Sequence, residues 1–276
     1  MQILVIPDCH LKPWMFEEAA SIMRSKKTDN AVCLMDIPDD FGKDDPDLYE
    51  KTYDAAIAFA KEFPDTLWCY GNHDLSYVWG KPETGYNPEL RDLVCQKIEE
   101  LKEVLPSPTQ LAYIHRIDKT LFMHGGLSNF YVHRWVTQSS QKAIGRTIKE
   151  INNMGSVLMW DSASPIWYRP QLAPDDDVTR LFRGGKYLQV VGHTPVKDVI
   201  RVGGVLSCDT FSTYRDGTPY GSQNFCIVDT KTWSFEEVNF FTIRQKRHNK
   251  HTKRGLECSL ILQLNNFSAF HTLWQL

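Results

Sequence analysis

Asp8 and His10 stand two residues apart at the end of an apolar run. In an extended segment residues i and i+2 point the same way, so this pair can grip one cation together while Cys9 faces elsewhere. Asp36 closes the next apolar run, and its carboxylate has two oxygens with which to bridge a second cation. Asn72, His124 and His193 supply neutral oxygen and nitrogen donors for that second ion. The six make a mixed O/N set without thiolate, which suits Mn²⁺, Fe or Zn²⁺ at a catalytic site better than a closed structural zinc. Two divalent ions bring +4 and the two aspartates −2, and the resulting charge of about +2 attracts a phosphate and draws the pKa of a bridging water toward ~7. His73 follows Asn72 directly, and adjacent side chains do not easily share one ion. His73 is therefore read as the acid that delivers a proton to a departing oxygen, with Asp39, three residues after Asp36, as the carboxylate behind it.

Groups spread over 185 residues converge only if they stand on the ends of neighbouring strands, where the carboxyl edge of an α/β sheet binds ligands. The surrounding pattern supplies those strands. Apolar runs at 3–6, 31–35 and 66–70 alternate with segments of helical period at 16–24, 48–63 and 88–104, the last opened by Asn87 and Pro88. After Pro106 the texture turns to extended pieces at 112–117, 120–123, 187–191, 199–202, 205–208, 225–228 and 233–240, with helices read at 129–136 and 141–152 and a Pro-rich stretch at 162–174. No repeat or flexible linker divides the chain.

Five motifs carry a resemblance to the calcineurin-like metallophosphoesterase superfamily, and within it to the serine/threonine phosphoprotein phosphatase branch of bacterial and phage type, related to enzymes that cleave dinucleoside polyphosphates. They are Asp8/His10, Asp36/Asp39, Gly71 to Asp74, His124 to Gly126 and Gly192 to Thr194, in family order, and the resemblance runs from Ile3 to about Thr230. It implies an α/β fold, a two-sheet α/β/β/α sandwich, over residues 1–243. It implies Asp8, His10 and Asp36 as ligands of one metal, Asp36, Asn72, His124 and His193 as ligands of the other, and two divalent ions, Mn²⁺ foremost. His73 becomes the general acid, Asp39 its partner, and Asp209, in Cys208-Asp209-Thr210, a support for His193. The implied activity is hydrolysis of phosphate esters, on phosphoproteins or nucleotides; a metal-bound scaffold without turnover is the alternative. Two departures stand out. The family's GDxxDRG is written here as Met35 to Phe41 without glycines, and Asp40 occupies the place of a phosphate-binding Arg, so that Asp40 is expected to point outward or pair with a base, and Asp40→Arg to restore activity in part. Arg169, in Trp167-Tyr168-Arg169-Pro170, resembles the WxRP segment of bacterial relatives and is the expected phosphate clamp, with Arg134 and Arg183 in reserve; Trp160 and Trp167 flank it.

Composition narrows the rest. With 276 residues and 42% hydrophobic the chain can close a large core. The net charge is −3, yet residues 244–254 carry six basic residues and no acid, so the remainder is at −9 and a poor non-specific binder of nucleic acid. The basic run reads as a solvated segment or a contact for nucleic acid or an acidic partner, and 255–276, too polar to span a bilayer, as an added helix or appendage. Seven cysteines without a CxxC pair argue against a disulfide framework or Cys-type zinc. The start MQILVIPDCH has no basic n-region and breaks at Pro7 and Asp8, which leads us to expect neither signal peptide nor membrane anchor and a cytoplasmic protein.

Overall fold

Strand and helix alternate from the first residues of the computed structural model, which describes residues 1–25, 28–172 and 180–239. β1 (Gln2–Ile6), α1 (Trp14–Ser25), β2 (Asn30–Cys33), α2 (Pro46–Glu62), β3 (Leu67–Cys69), α3 (Asn72–Trp79), α4 (Arg91–Val104) and β4 (Leu111–Ala112) form the first half. β5 (Ile114–Ile117), β6 (Thr120–Met123), α5 (Asn129–Trp135), α6 (Ile144–Ile151), α7 (Ser156–Met159), β7 (Leu188–Val191), β8 (Ile200–Val202), β9 (Val205–Ser207), β10 (Asn224–Asp229) and β11 (Phe235–Asn239) follow. One sheet has the order β11-β10-β1-β2-β3-β4, the other β5-β6-β7-β9-β8. β1 to β4 are mutually parallel, as are β6, β7 and β9, so each sheet ends a parallel set of strands at one edge.

The layers follow from alternation of side chains. Ile3, Val5 and Val32 of the first sheet meet Phe122, Leu188, Val190 and Leu206 of the second in one buried cluster. Their sequence neighbours Leu121, Met123, Val191 and Val205 point the other way, onto Tyr131, Val132, Ile148, Ile151 and Met159 of the helices outside. On the far face of the first sheet Phe16 of α1 and Phe59 of α2 close on the fully buried Trp68. This is the α/β/β/α sandwich. Strands covered on both faces read as unbroken apolar runs, which is why β1 shows no polar alternation.

Three elements differ from the sequence reading. The run 112–117 is two strands: β4 pairs with β3 in one sheet, β5 with β6 in the other, and the chain passes between sheets at Tyr113. The helix read at 88–104 begins with a 3-10 turn at Pro88–Leu90, where Asn87 accepts the Glu89 N–H at 2.9 Å, before α4 starts at Arg91. The segment after Gly71 carries no helical period, yet it forms α3, opened by Asp74 accepting the Gly71 N–H at 3.1 Å and ended by Gly80 in the left-handed region.

Met1–Val238 is one compact unit. The basic run and the apolar tail at 244–276 lie outside the described residues. Six cysteines are described, all of them free thiols. No described helix is long and apolar enough to cross a membrane.

Candidate active site

The parallel strands deliver the predicted residues to one place. Asp8 and His10 follow β1, Asp36 follows β2, Asn72 and His73 open α3 after β3, His124 follows β6 and His193 follows β7. Two groups of ligand-type atoms, each within 4.8 Å of one another, form there: Asp8 with His10 and Asp36, and Asp36 with His124 and His193. Asp36 belongs to both. Its Oδ2 lies 3.0 Å from His124 Nε2, and that nitrogen is also 3.0 Å from Asn72 Oδ1 and 3.1 Å from His193 Nδ1.

The loops that hold these groups are costly and tightly bonded. His10, Asp36, Asp39 and His193 all have positive φ, a conformation unfavourable by about 1–2 kcal/mol for a residue with a Cβ. Backbone bonds offset this: the Asp36 carbonyl accepts the N–H groups of Cys9 and His10, and Leu11 N–H donates to Ile37 O. Asp74 completes the frame by accepting the N–H groups of Asp36 at 2.9 Å, Ile37 at 3.2 Å and Gly71 at 3.1 Å. Gly71 and Gly192 are required by close approach, since a Cβ would come 1.9 Å from Asp36 Oδ1 and from Asp8 Oδ1 respectively.

Several observations show that cations fit here. Asp8 Oδ1 and His193 Nε2 are buried without a hydrogen-bond partner. His10 Nδ1 and His124 Nδ1 each face a backbone carbonyl, of Asp39 at 2.8 Å and of Leu34 at 3.0 Å, which only accepts; both Nδ1 atoms therefore carry the proton, and Nε2 is the ring atom available to an ion. Burial raises the pKa of Asp36, but the facing imidazoles of His124, His73 and His10 outweigh it and hold the carboxyl well below its ordinary range. His124, against the pull of burial, is drawn up to about 9 by Asp36 and Asp8. His193 is pushed down to about 2 by burial, then by His124 and Arg169, and stays neutral. A carboxylate cluster that draws a proton onto His124 is a cluster that accepts a metal ion in the proton's place.

Beside the ligand groups stands the predicted dyad. His73 Nδ1 lies 2.8 Å from Asp39 Oδ2, while Asp39 Oδ1 accepts from the hydroxyls of Tyr49 at 2.7 Å and Tyr77 at 2.6 Å. Burial disfavours a charged His73, but Asp36 and Asp39 outweigh it and raise the group to about 9. Tyr49, Tyr77 and Asp74 escaped the sequence reading. Only Asp74 had a local signal, as the last residue of the Gly71 to Asp74 motif; the tyrosines look like ordinary buried positions of helices.

A cavity of about 480 Å³ opens over the site. His10, Asp36, Asn72, His73 and His193 form its floor, and Trp167 and Arg169 line it as expected. Arg169 Nη1 donates to His193 O at 2.5 Å and to Thr194 Oγ1 at 3.1 Å. Arg134 and Arg183 do not line the cavity; Arg134 stacks on Trp135 and Arg183 donates to Gln141 O. Trp160 stands behind Trp167, ring centroids 5.2 Å apart. Asp40 pairs with bases, Lys43 at 2.8 Å and the buried Lys12 at 3.7 Å, and accepts from Thr213 at 2.8 Å. Burial alone would raise its pKa, but Lys12, Lys43 and Thr213 outweigh that and lower it. Asp209 accepts from Ser212 Oγ, at 2.9 Å from each oxygen, and makes no bond to His193.

The chain belongs to the calcineurin-like phosphoesterase family, whose model matches residues 1–216. It is a hydrolase of phosphoric ester bonds, in a family that works with paired metal ions. Among solved structures it is similar to the cold-active protein tyrosine phosphatase of a psychrophilic Shewanella species, with 16% identity and a TM-score of 0.52, covering 86% of this chain and 80% of that one. It is also similar to a serine/threonine phosphatase from Saccharomyces cerevisiae resembling human PP5, with 15% identity and a TM-score of 0.51, covering 87% of this chain and 80% of that one. At such identities the likeness shows the fold alone. No curated protein matches the sequence.

Proposed function

We propose that the chain is a phosphomonoesterase of the protein serine/threonine phosphatase type, with Asp8, His10 and Asp36 holding one divalent ion and Asp36, Asn72, His124 and His193 the other. The observation that carries this reading is the buried Asp36, with one set of ligand atoms on each side and the His73–Asp39 pair next to it. The oxygen and imidazole donors suit Mn²⁺, with Fe or Zn²⁺ as alternatives. When bound, the two ions neutralise phosphoryl oxygens and acidify a water for attack on phosphorus.

The residues of the chain do the rest. Asp36 Oδ1 accepts the His73 N–H at 3.0 Å, which ties the position of the acid to that of the bridging carboxylate. His73 gives its Nδ1 proton to the bond with Asp39, so the Nε2 proton is the one transferred to the leaving oxygen as its bond to phosphorus breaks. Tyr49 and Tyr77 keep the Asp39 carboxylate turned toward His73. Arg169, anchored through Nη1, leaves its Nη2 and Nε groups for two phosphoryl oxygens.

The test is a single screen. Protein loaded with Mn²⁺ is assayed on a serine phosphopeptide, an aryl phosphate and diadenosine tetraphosphate, with elemental analysis of the same sample. Two ions per chain and turnover of the phosphopeptide are expected. Turnover of diadenosine tetraphosphate alone would make the chain a nucleotide hydrolase, and two bound ions without turnover a binding scaffold.

A further inference from the structure

The cavity wall next to the dyad is built from a short strap after α3, residues 80–87. It leaves the helix at Gly80, closes a turn with the Tyr86 N–H donating to Glu83 O at 3.0 Å, and is pinned where Tyr86 stacks on Tyr77 at 4.7 Å and Asn87 N–H donates to Tyr77 Oη at 3.0 Å. At its middle Gly85 presses on the dyad: a Cβ there would come 3.0 Å from Asp39 Cβ. Glu83, Thr84 and Gly85 line the cavity. The strap therefore borders the same cavity as His73, the cavity that must also hold the organic half of the substrate.

The charges on that side are unequal. Five carboxylates line the cavity: Asp36, Asp39, Asp40, Glu83 and Asp209. Asp36 faces the imidazoles, Asp39 is held by His73 and two tyrosines, Asp40 by Lys12 and Lys43, and Asp209 by Ser212. The Glu83 carboxylate has no hydrogen bond or ion pair to any described residue, its one bond being the Tyr86 N–H to its backbone carbonyl. Arg169 is the one Lys or Arg among the described lining residues, and Glu83 is one of the carboxylates whose charge it feels.

We propose that Glu83 is a specificity-determining residue that selects phosphoryl groups whose leaving alcohol is flanked by positive charge, such as a phosphoserine or phosphothreonine beside Arg or Lys, and rejects polyanionic leaving groups. The proposal rests on the phosphoprotein reading above and names the substrate class within it. A single guanidinium and two ions match one phosphoryl group. A dinucleoside polyphosphate would bring a leaving group with two or more negative charges against an uncompensated carboxylate, in a cavity whose low-dielectric walls strengthen the repulsion. A basic side chain in the same place gains as its ion partner a carboxylate that no described residue pairs with.

The experiment compares two peptides phosphorylated at the same serine, one flanked by Arg and one by Glu, and diadenosine tetraphosphate, on Mn²⁺-loaded wild type, Glu83→Gln and Glu83→Lys. Thermal melts confirm that the three proteins are equally folded. Wild type is expected to favour the Arg peptide in kcat/KM by about 3- to 5-fold, mostly through KM, the upper range of one partly exposed ion pair. Glu83→Gln should bring the ratio within about twofold of unity, and Glu83→Lys should invert it and raise turnover of the tetraphosphate. The same ratio in all three proteins, or a wild type that prefers the Glu peptide, overturns the role of Glu83 and leaves the phosphatase reading standing. No turnover of either peptide by two-ion wild type overturns both.

Discussion

The floor of the cavity and its rim are built on different principles. On the floor, His10, Asp36, Asn72 and His193 follow the ends of parallel strands, with the fully buried His124 packed against them, and left-handed backbone, closely approached glycines and the Asp74 frame leave each carboxylate little freedom. On the rim, Asp40, Glu83 and Arg169 come from loops that meet only in the folded chain, and their charges have been rearranged: an acid stands where relatives are expected to carry the phosphate-binding Arg, two lysines neutralise it, and a distant Arg lines the cavity instead. The contrast teaches that in the proposed mechanism the floor is constrained by distances to two ions, whereas the rim only has to present one net charge pattern to a substrate, which many loop arrangements satisfy.

The largest effect should come from the floor. Asp36→Asn removes the anion proposed to be shared by both ions, and the protein is expected to lose both metals and at least roughly 10³-fold in kcat/KM, the several kcal/mol that such ions supply. Elemental analysis finding one tightly held ion in the variant would separate the two ligand groups and break the idea of a shared floor. Next comes the dyad. His73→Asn should keep two ions and lose about 10²- to 10⁴-fold on alkyl phosphates, and much less on aryl phosphates whose leaving groups need little protonation. Equal losses on both would make His73 a positioning residue.

The rim should respond more gently. Arg169→Lys is expected to lower kcat/KM by about 10-fold at unchanged metal content, since Lys cannot reproduce the planar fork. Asp40→Arg, which the sequence alone presents as a repair, should not rescue it: the new guanidinium would stand between Lys12 and Lys43 and forfeit the bond from Thr213. Rescue would show that the 40–43 loop still reaches the phosphate and that rim and floor obey the same constraint.

The smallest effect concerns stability without metal. His73 and His124 are raised to about 9 from an ordinary 6.5. A pKa raised in the folded state contributes stability that is complete below the unfolded value and lost as pH climbs through the folded one. The Tm of the metal-free protein should therefore fall by a few degrees between pH 6.5 and 9, and Mn²⁺ should flatten the slope by taking the place of the proton on His124. A metal-free Tm that holds or rises over that window would show that the floor does not attract positive charge.

Most strands were legible in the sequence, the sandwich came with the family resemblance, and the residues proposed as ligands, with His73 and Asp39, were singled out by type and spacing and stand together in the fold. The reason is local. A buried strand writes itself as an apolar run, and the residue that ends it lands at the sheet's carboxyl edge, so Asp8, Asp36, His124 and His193 were expected to meet at one edge. The sequence did not carry α3, whose eight residues show no apolar stripe, or the division of 112–117 between two sheets, which depends on strand pairing. Nor did it carry the fate of Asp40 or the support of Asp39. Thr213 reaches Asp40 across 173 positions and Tyr77 reaches Asp39 across 38, and a hydroxyl at such a distance leaves no periodicity to read. Only the tertiary structure decided which charges on the rim are paired, and that the Glu83 carboxylate has no ion pair among the described residues, because pairing depends on through-space distance between loops that the chain order does not constrain.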